Sequence, residues 1–115
     1  MASEQEVEEF LREFHDKMNI WDILFRDDRG KNLQTIADLE IRPIDRKKVI
    51  ESLQTTDYCE GPTDDKLWGG SSMWVFGKEV KRQEVYIKIT MGRPTNPVIC
   101  ISFHTAEFPM QYPFK

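Results

Sequence analysis

The sequence predicts an α+β domain in which helices come first and strands follow. Three observations predict it: a helical apolar period at the N-terminus, alternating strand patterns from residue 73 onward, and turn residues spaced for hairpins between them. That order places N-terminal helices on one face of a small antiparallel sheet ending in a three-strand meander. At 115 residues the chain is long enough for one core and is read as a single domain, 1–115.

Ser3 and Glu6 form a capping box, and Val7, Phe10, Leu11, Phe14 and Met18 recur at helical spacing, which predicts a helix over 4–18. In "IWDILFR", Trp21, Ile23 and Phe25 alternate like a strand, closed by the turn "DDRG". Leu33, Ile36 and Ala37 predict a short helix ending before Pro43. Asp45 is placed to cap another, with Val49, Ile50 and Leu53 on its apolar stripe. Thr55 to Ser72 is rich in turn residues and reads as a long ordered loop with a mobile tip at its acidic and glycine positions, a length usually tied to function or disorder. Strands are expected at Met73–Phe76, Gln83–Met91 and Pro97–His104, joined by "GKEVKR" and "GRPTN". The tail "AEFPMQYPFK", aromatic and twice broken by proline, is expected to lie extended over the body.

Composition narrows the function classes. Charged residues make up 31% of the chain, no apolar run approaches the length of a membrane span, and no signal peptide precedes the acidic start, so a cytoplasmic protein without a membrane partner is expected. Cys59 and Cys100 are isolated, with no ligand spacing for a metal, and read as free thiols. No glycine-rich phosphate loop is present, so nucleotide binding is not expected, and with no metal-ligand spacing either the chain is read as needing no cofactor. The net charge of −4 is unevenly spread: residues 73–95 hold five bases (Lys78, Lys81, Arg82, Lys88, Arg93) against two acids. A local basic patch of this kind can steer a polyanion even on an acidic protein. Ordinary solvated charges on a hairpin account for it equally well.

The stretch "EVYIKITM" carries the chemistry. With a turn centred near Pro94, Glu84 falls opposite His104, Tyr86 opposite Ser102 and Lys88 opposite Cys100. A turn centred near Val80 brings Trp74 beside Tyr86. One face then carries Trp74, Phe76, Glu84, Tyr86, Lys88, Ser102 and His104, and the other a core of Val75, Val85, Ile87, Ile89, Ile99, Ile101 and Phe103. This is a kit for RNA cleavage without metal: Glu84 or His104 as base, His104 as acid, and Lys88, Tyr86 and Arg82 for charge on the phosphate. Trp74 or Phe76 would stack on an unpaired base. The same residues also occur as plain cross-strand pairs on exposed sheets, so the pattern leaves both readings open.

The segments "LQTTDYCEGP", "MWVFGKEVKRQEVYIKI" and "PVICISFH" resemble, in order and spacing, the MqsR (motility quorum-sensing regulator) toxin family of bacterial type II toxin–antitoxin modules. The resemblance spans roughly residues 45–106. It implies a RelE-like α+β toxin that cleaves messenger RNA without metal, at the ribosome or free of it, and is restrained by a cognate antitoxin. Tyr86 and Lys88 match the family's site. Glu60 stands where the family has a lysine, and Met73 where it has a glutamine. Glu60 is then a candidate base if its loop folds onto the sheet, with Lys78, Lys81, Arg82, Arg93 and Trp74 as candidate RNA contacts. A non-catalytic RNA- or protein-binding module of the same fold, a decayed toxin, is the alternative.

Overall fold

The computed structural model describes residues 1–28, 30–64 and 71–115. Helix α1 (Glu4–Trp21) begins at the expected capping box, where the Ser3 hydroxyl accepts the Glu6 N–H at 3.2 Å and Glu6 accepts the Ser3 N–H at 3.0 Å. It buries Val7, Phe10, Leu11, Phe14 and Met18, the five residues its period selects. Nothing breaks the helical ladder before Asp22, whose N–H reaches the Met18 carbonyl and whose φ of 68° ends the helix. Trp21 therefore belongs to the helix, and strand β1 is only Ile23–Phe25.

Helices α2 (Gly30–Leu39) and α3 (Asp45–Glu51) follow. Asp45 occupies the first turn of α3, where its carboxylate accepts the Arg42 N–H at 2.8 Å and pairs with the Arg42 guanidinium. Ile50 and Leu53 are buried, and Val49 packs on the core from a half-buried position. A 3-10 turn (Thr55–Asp57) leads to β2 (Tyr58–Thr63), and then to β3 (Met73–Val80), β4 (Gln83–Thr90) and β5 (Val98–Thr105). Strand β2 lies inside the stretch expected to be a loop. It hides from a sequence pattern because Gly61 and Pro62 interrupt it, which only an edge strand tolerates. The acidic–glycine tip at 65–70, and Arg29 of the turn "DDRG", lie outside the described residues.

The sheet order is β1-β5-β4-β3-β2. Strand β1 runs parallel to β5 and the other neighbours are antiparallel, so the sheet is mixed rather than purely antiparallel. Beyond β1 the open edge of β5 is closed by α2. The Asn32 amide donates to the Ile101 carbonyl at 3.1 Å and accepts the Phe103 N–H at 3.0 Å, while the Thr35 hydroxyl accepts the Thr105 N–H. A side-chain amide thus stands in for a missing strand.

The core lies between α1, with Leu39, Ile50 and Leu53, and the face formed by Trp74, Phe76, Val85, Ile87, Ile89, Val98, Cys100 and Phe103. Trp74, Phe76 and Cys100 are on this face, contrary to the sequence expectation, whereas Val75 is on the other. The reason is geometric. The β3–β4 turn is the tight pair Lys81 and Arg82, both at positive φ, so Trp74 pairs with Ile89 and Phe76 with Ile87. Moving the turn centre from Val80 to this pair is an odd shift, and an odd shift exchanges the faces. Between β4 and β5 the slip is even, so Tyr86 and Lys88 keep their face. An irregularity after Lys88 then turns Cys100 inward, opposite Ile89. Among the described residues, no helix is long and apolar enough to cross a membrane.

Candidate functional site

The sheet face opposite the core is where the polar residues of β4 and β5 meet. Tyr86 pairs with His104, and Lys88 with Ser102. Val75 of β3, with Cys59 and Glu60 of β2, continues this surface toward the sheet edge. Residues Ala106 to Gln111 rise beside it as a wall, and together these groups enclose a cavity of about 500 Å³. A concave surface with apolar walls and a few polar groups is the usual form of a ligand site.

In its lining the Tyr86 and His104 rings stack, with centroids 5.1 Å apart and planes 11° from parallel. His104 Nδ1 lies 3.0 Å from the Thr105 carbonyl, an acceptor only, so Nδ1 carries a proton and donates. That bond commits Nδ1 and leaves Nε2 as the ring nitrogen turned to other partners. The Lys88 ammonium lies 5.9 Å from the centre of the Tyr86 ring. Burial, then the charges of Glu60 and Cys59, push the Tyr86 phenol above its usual range, so it remains a neutral donor. The Cys59 thiol is pushed up to about 12, first by burial and then by Glu84, Glu60 and Asp57. It stays a thiol near neutrality and is no nucleophile.

Of the five residues expected to act in catalysis, Tyr86, Lys88, His104 and Glu60 line the cavity. Glu60 reaches it because β2 lays it against Val75, exposed at the rim. Glu84 does not line it. Its carboxylate accepts the Met110 N–H at 3.2 Å and the Tyr112 hydroxyl at 2.7 Å, and its backbone carbonyl accepts the Ala106 N–H. Glu84 is a fastening for the tail.

The expected RNA contacts are dispersed. Trp74 is 8% exposed and stacks on Phe10 at 4.4 Å, on the core side. Lys78 is paired with Asp57 at 3.0 Å. Together with Arg82, Glu84 and Tyr112 it borders a separate depression of about 250 Å³. Lys81 and Arg82 are exposed in the tight turn, and Arg93 is exposed in the β4–β5 loop. The bases of residues 73–95 therefore do not gather at the cavity, apart from Lys88.

Sequence reasoning missed the tail wall of Phe108, Pro109 and Met110, and the place of Cys59 and Val75. The composition of the tail was legible, but its anchor on Glu84 was not. Among the described residues, no three His, Cys, Asp or Glu side chains gather as a metal site. Fold and site together define an α+β protein with a cavity on the sheet face away from its helices, lined by Glu60, Tyr86, Lys88 and His104. Compared with known proteins, the chain significantly matches no family model, no curated protein and no solved structure.

Proposed function

We propose that the protein is an endoribonuclease that cleaves messenger RNA by metal-independent acid–base chemistry, as a RelE-like toxin of the MqsR family held in check by a cognate antitoxin. The observation that carries this reading is the Tyr86–His104 stack beside Lys88 inside one cavity. The chemistry follows from the groups. A base removes the proton of a ribose 2′-hydroxyl, whose oxygen attacks phosphorus. The P–O5′ bond breaks and an acid protonates the leaving 5′-oxygen, which yields a 2′,3′-cyclic phosphate and a 5′-hydroxyl. His104 Nε2 serves one proton transfer, and Glu60 at the rim is the group placed for the other. Lys88 and the neutral Tyr86 hydroxyl stabilise charge as it grows on the phosphoryl oxygens.

The test is incubation of the purified chain with a mixed RNA pool in EDTA. Fragments ending in cyclic phosphate, lost in Tyr86→Phe, are expected; intact RNA at high protein concentration would remove the reading.

One feature favours the second reading, a non-catalytic binding module. Two carboxylates, Glu60 and Glu107, line the cavity alongside Lys88, a poor balance for a polyanion. Retention of RNA or a protein partner without cleavage in the same assay is its signature.

A further inference from the structure

Ser102 is 5% exposed and lines the cavity, and its hydroxyl has no hydrogen-bond partner among the described residues. Buried hydroxyls are rarely left so, because an unpaired one forfeits its hydration without return. Its neighbours share the condition. Lys88 stands directly across the strand pair, and its only described contact of this kind is the face of the Tyr86 ring. The Tyr86 hydroxyl and His104 Nε2 have no hydrogen-bond partner among the described residues either. Hydroxyl, ammonium and phenol are all donors here, arriving from two adjacent strands at one cavity. Of the two carboxylates in the lining, Glu107 is taken up by Lys31 and Glu60 is exposed at the rim. A floor of unmatched donors is complementary to a ligand that brings several oxygen acceptors.

We infer that Ser102 is a phosphate-binding residue: its hydroxyl, with the Lys88 ammonium across the strand pair and the Tyr86 hydroxyl in the same cavity, holds the non-bridging oxygens of a phosphate ester. Two of the donors come from β4 and one from β5, an arrangement that suits a ligand with several oxygens rather than a single acceptor. The Phe108–Met110 wall supplies apolar surface for the sugar and base attached to it. The inference rests on the ribonuclease reading for the identity of the ester, a phosphodiester of single-stranded RNA. Ser102 touches substrate here without transferring a proton.

Adenosine 3′-monophosphate, inorganic phosphate and adenosine, each titrated into the intact chain by calorimetry, test it. Both phosphates bind and compete, and adenosine alone binds far more weakly. Ser102→Ala, which only widens an existing cavity, weakens the nucleotide by about tenfold or more, the usual effect of losing a hydrogen bond to a charged group. Ser102→Thr, which keeps the hydroxyl, retains most of the affinity. Should Ser102→Ala fail to fold by circular dichroism, Ser102→Cys, near in size and a weak donor, gives the same loss. Unchanged affinity in a folded Ala or Cys variant overturns the inference, as does a wild-type chain that binds neither phosphate. Ser102-dependent binding in a chain that cuts no RNA upholds the site and removes the ribonuclease reading instead.

Discussion

The Tyr112 hydroxyl donates to Glu84 at 2.7 Å, across the backbone of Gly77, which has no side chain to obstruct it. A Cβ at Gly77 would run into the Tyr112 ring. The strand residue that pattern alone offers as a catalytic base is thereby spent on holding the tail, and the tail in turn supplies one wall of the cavity. From this relationship follows a division of labour on β4: Glu84 builds the site, and Tyr86 and Lys88 occupy it.

Tyr112→Phe is expected to cost about 1–2 kcal/mol, since a hydrogen bond to a carboxylate is lost. Gly77→Ala, which displaces the ring as well, costs more. Both loosen the wall, so amide exchange at Met110 should rise in each. Protection at Met110 equal to wild type in both variants would show that the tail is held by other contacts.

Tyr86→Phe keeps the ring stacked on His104 and removes only the hydroxyl. Cleavage should fall about a hundred- to a thousand-fold, the usual effect of losing one transition-state donor. Growth arrest on expression in a bacterial host should be relieved, with the far-ultraviolet circular dichroism unchanged. Full toxicity in the folded variant removes Tyr86 from the mechanism.

Trp74 is the clearest separation of core from site. Trp74→Ala is expected to destabilise by about 3–5 kcal/mol through the cavity left against Phe10, measured by denaturant unfolding. The conservative Trp74→Phe should bind and cut RNA as wild type does. A specific loss of RNA affinity in that folded variant would place Trp74 at the site after all.

Asn32→Ala removes partners from the Ile101 carbonyl and the Phe103 N–H together. Each orphaned buried group costs about 1–3 kcal/mol, so a loss of at least about 2 kcal/mol is expected by chemical denaturation. A smaller loss would mean that water takes over the β5 edge.

Alkaline pH should be destabilising for a definite reason. Burial is the first cause that keeps Cys59, Cys100, Tyr86 and Tyr112 protonated above their ordinary range. Nearby acidic charges add to it at Cys59 and Tyr86, the bond to Glu84 adds to it at Tyr112, and at Cys100 it outweighs the opposing Arg46 charge. In the unfolded chain thiols ionise near pH ~8.5 and phenols near ~10. Above those values the unfolded state binds fewer protons than the folded one, so stability falls as pH rises. Tm should decline from about pH 8.5, and in Cys59→Ser/Cys100→Ala only from about pH 10. A Tm independent of pH between 8 and 11 contradicts the assignment.

Local signals were legible wherever a single element carried them. The capping box and apolar stripe of α1 sit where the residues place them, and the alternation of β4 separates Val85, Ile87 and Ile89 from Tyr86 and Lys88. His104 and Ser102 share the face of Tyr86 because the slip between β4 and β5 is even. Trp74 was misplaced because the length of one turn, not the strand pattern, sets its face. Strand β2 was missed because pairing with β3 holds it in place, whereas its own composition is that of a loop.

By itself, then, the sequence determined which residues alternate, where α1 starts, and that Tyr86, Lys88 and His104 share one polar face. Period and capping are local properties, decided by residues a few positions apart. Only the tertiary structure decided which face Trp74 and Cys100 take, that β1 joins β5 in parallel, and that Glu84 binds the tail. Those outcomes turn on register and on contacts between distant segments, and a one-residue change in a turn or bulge reverses them.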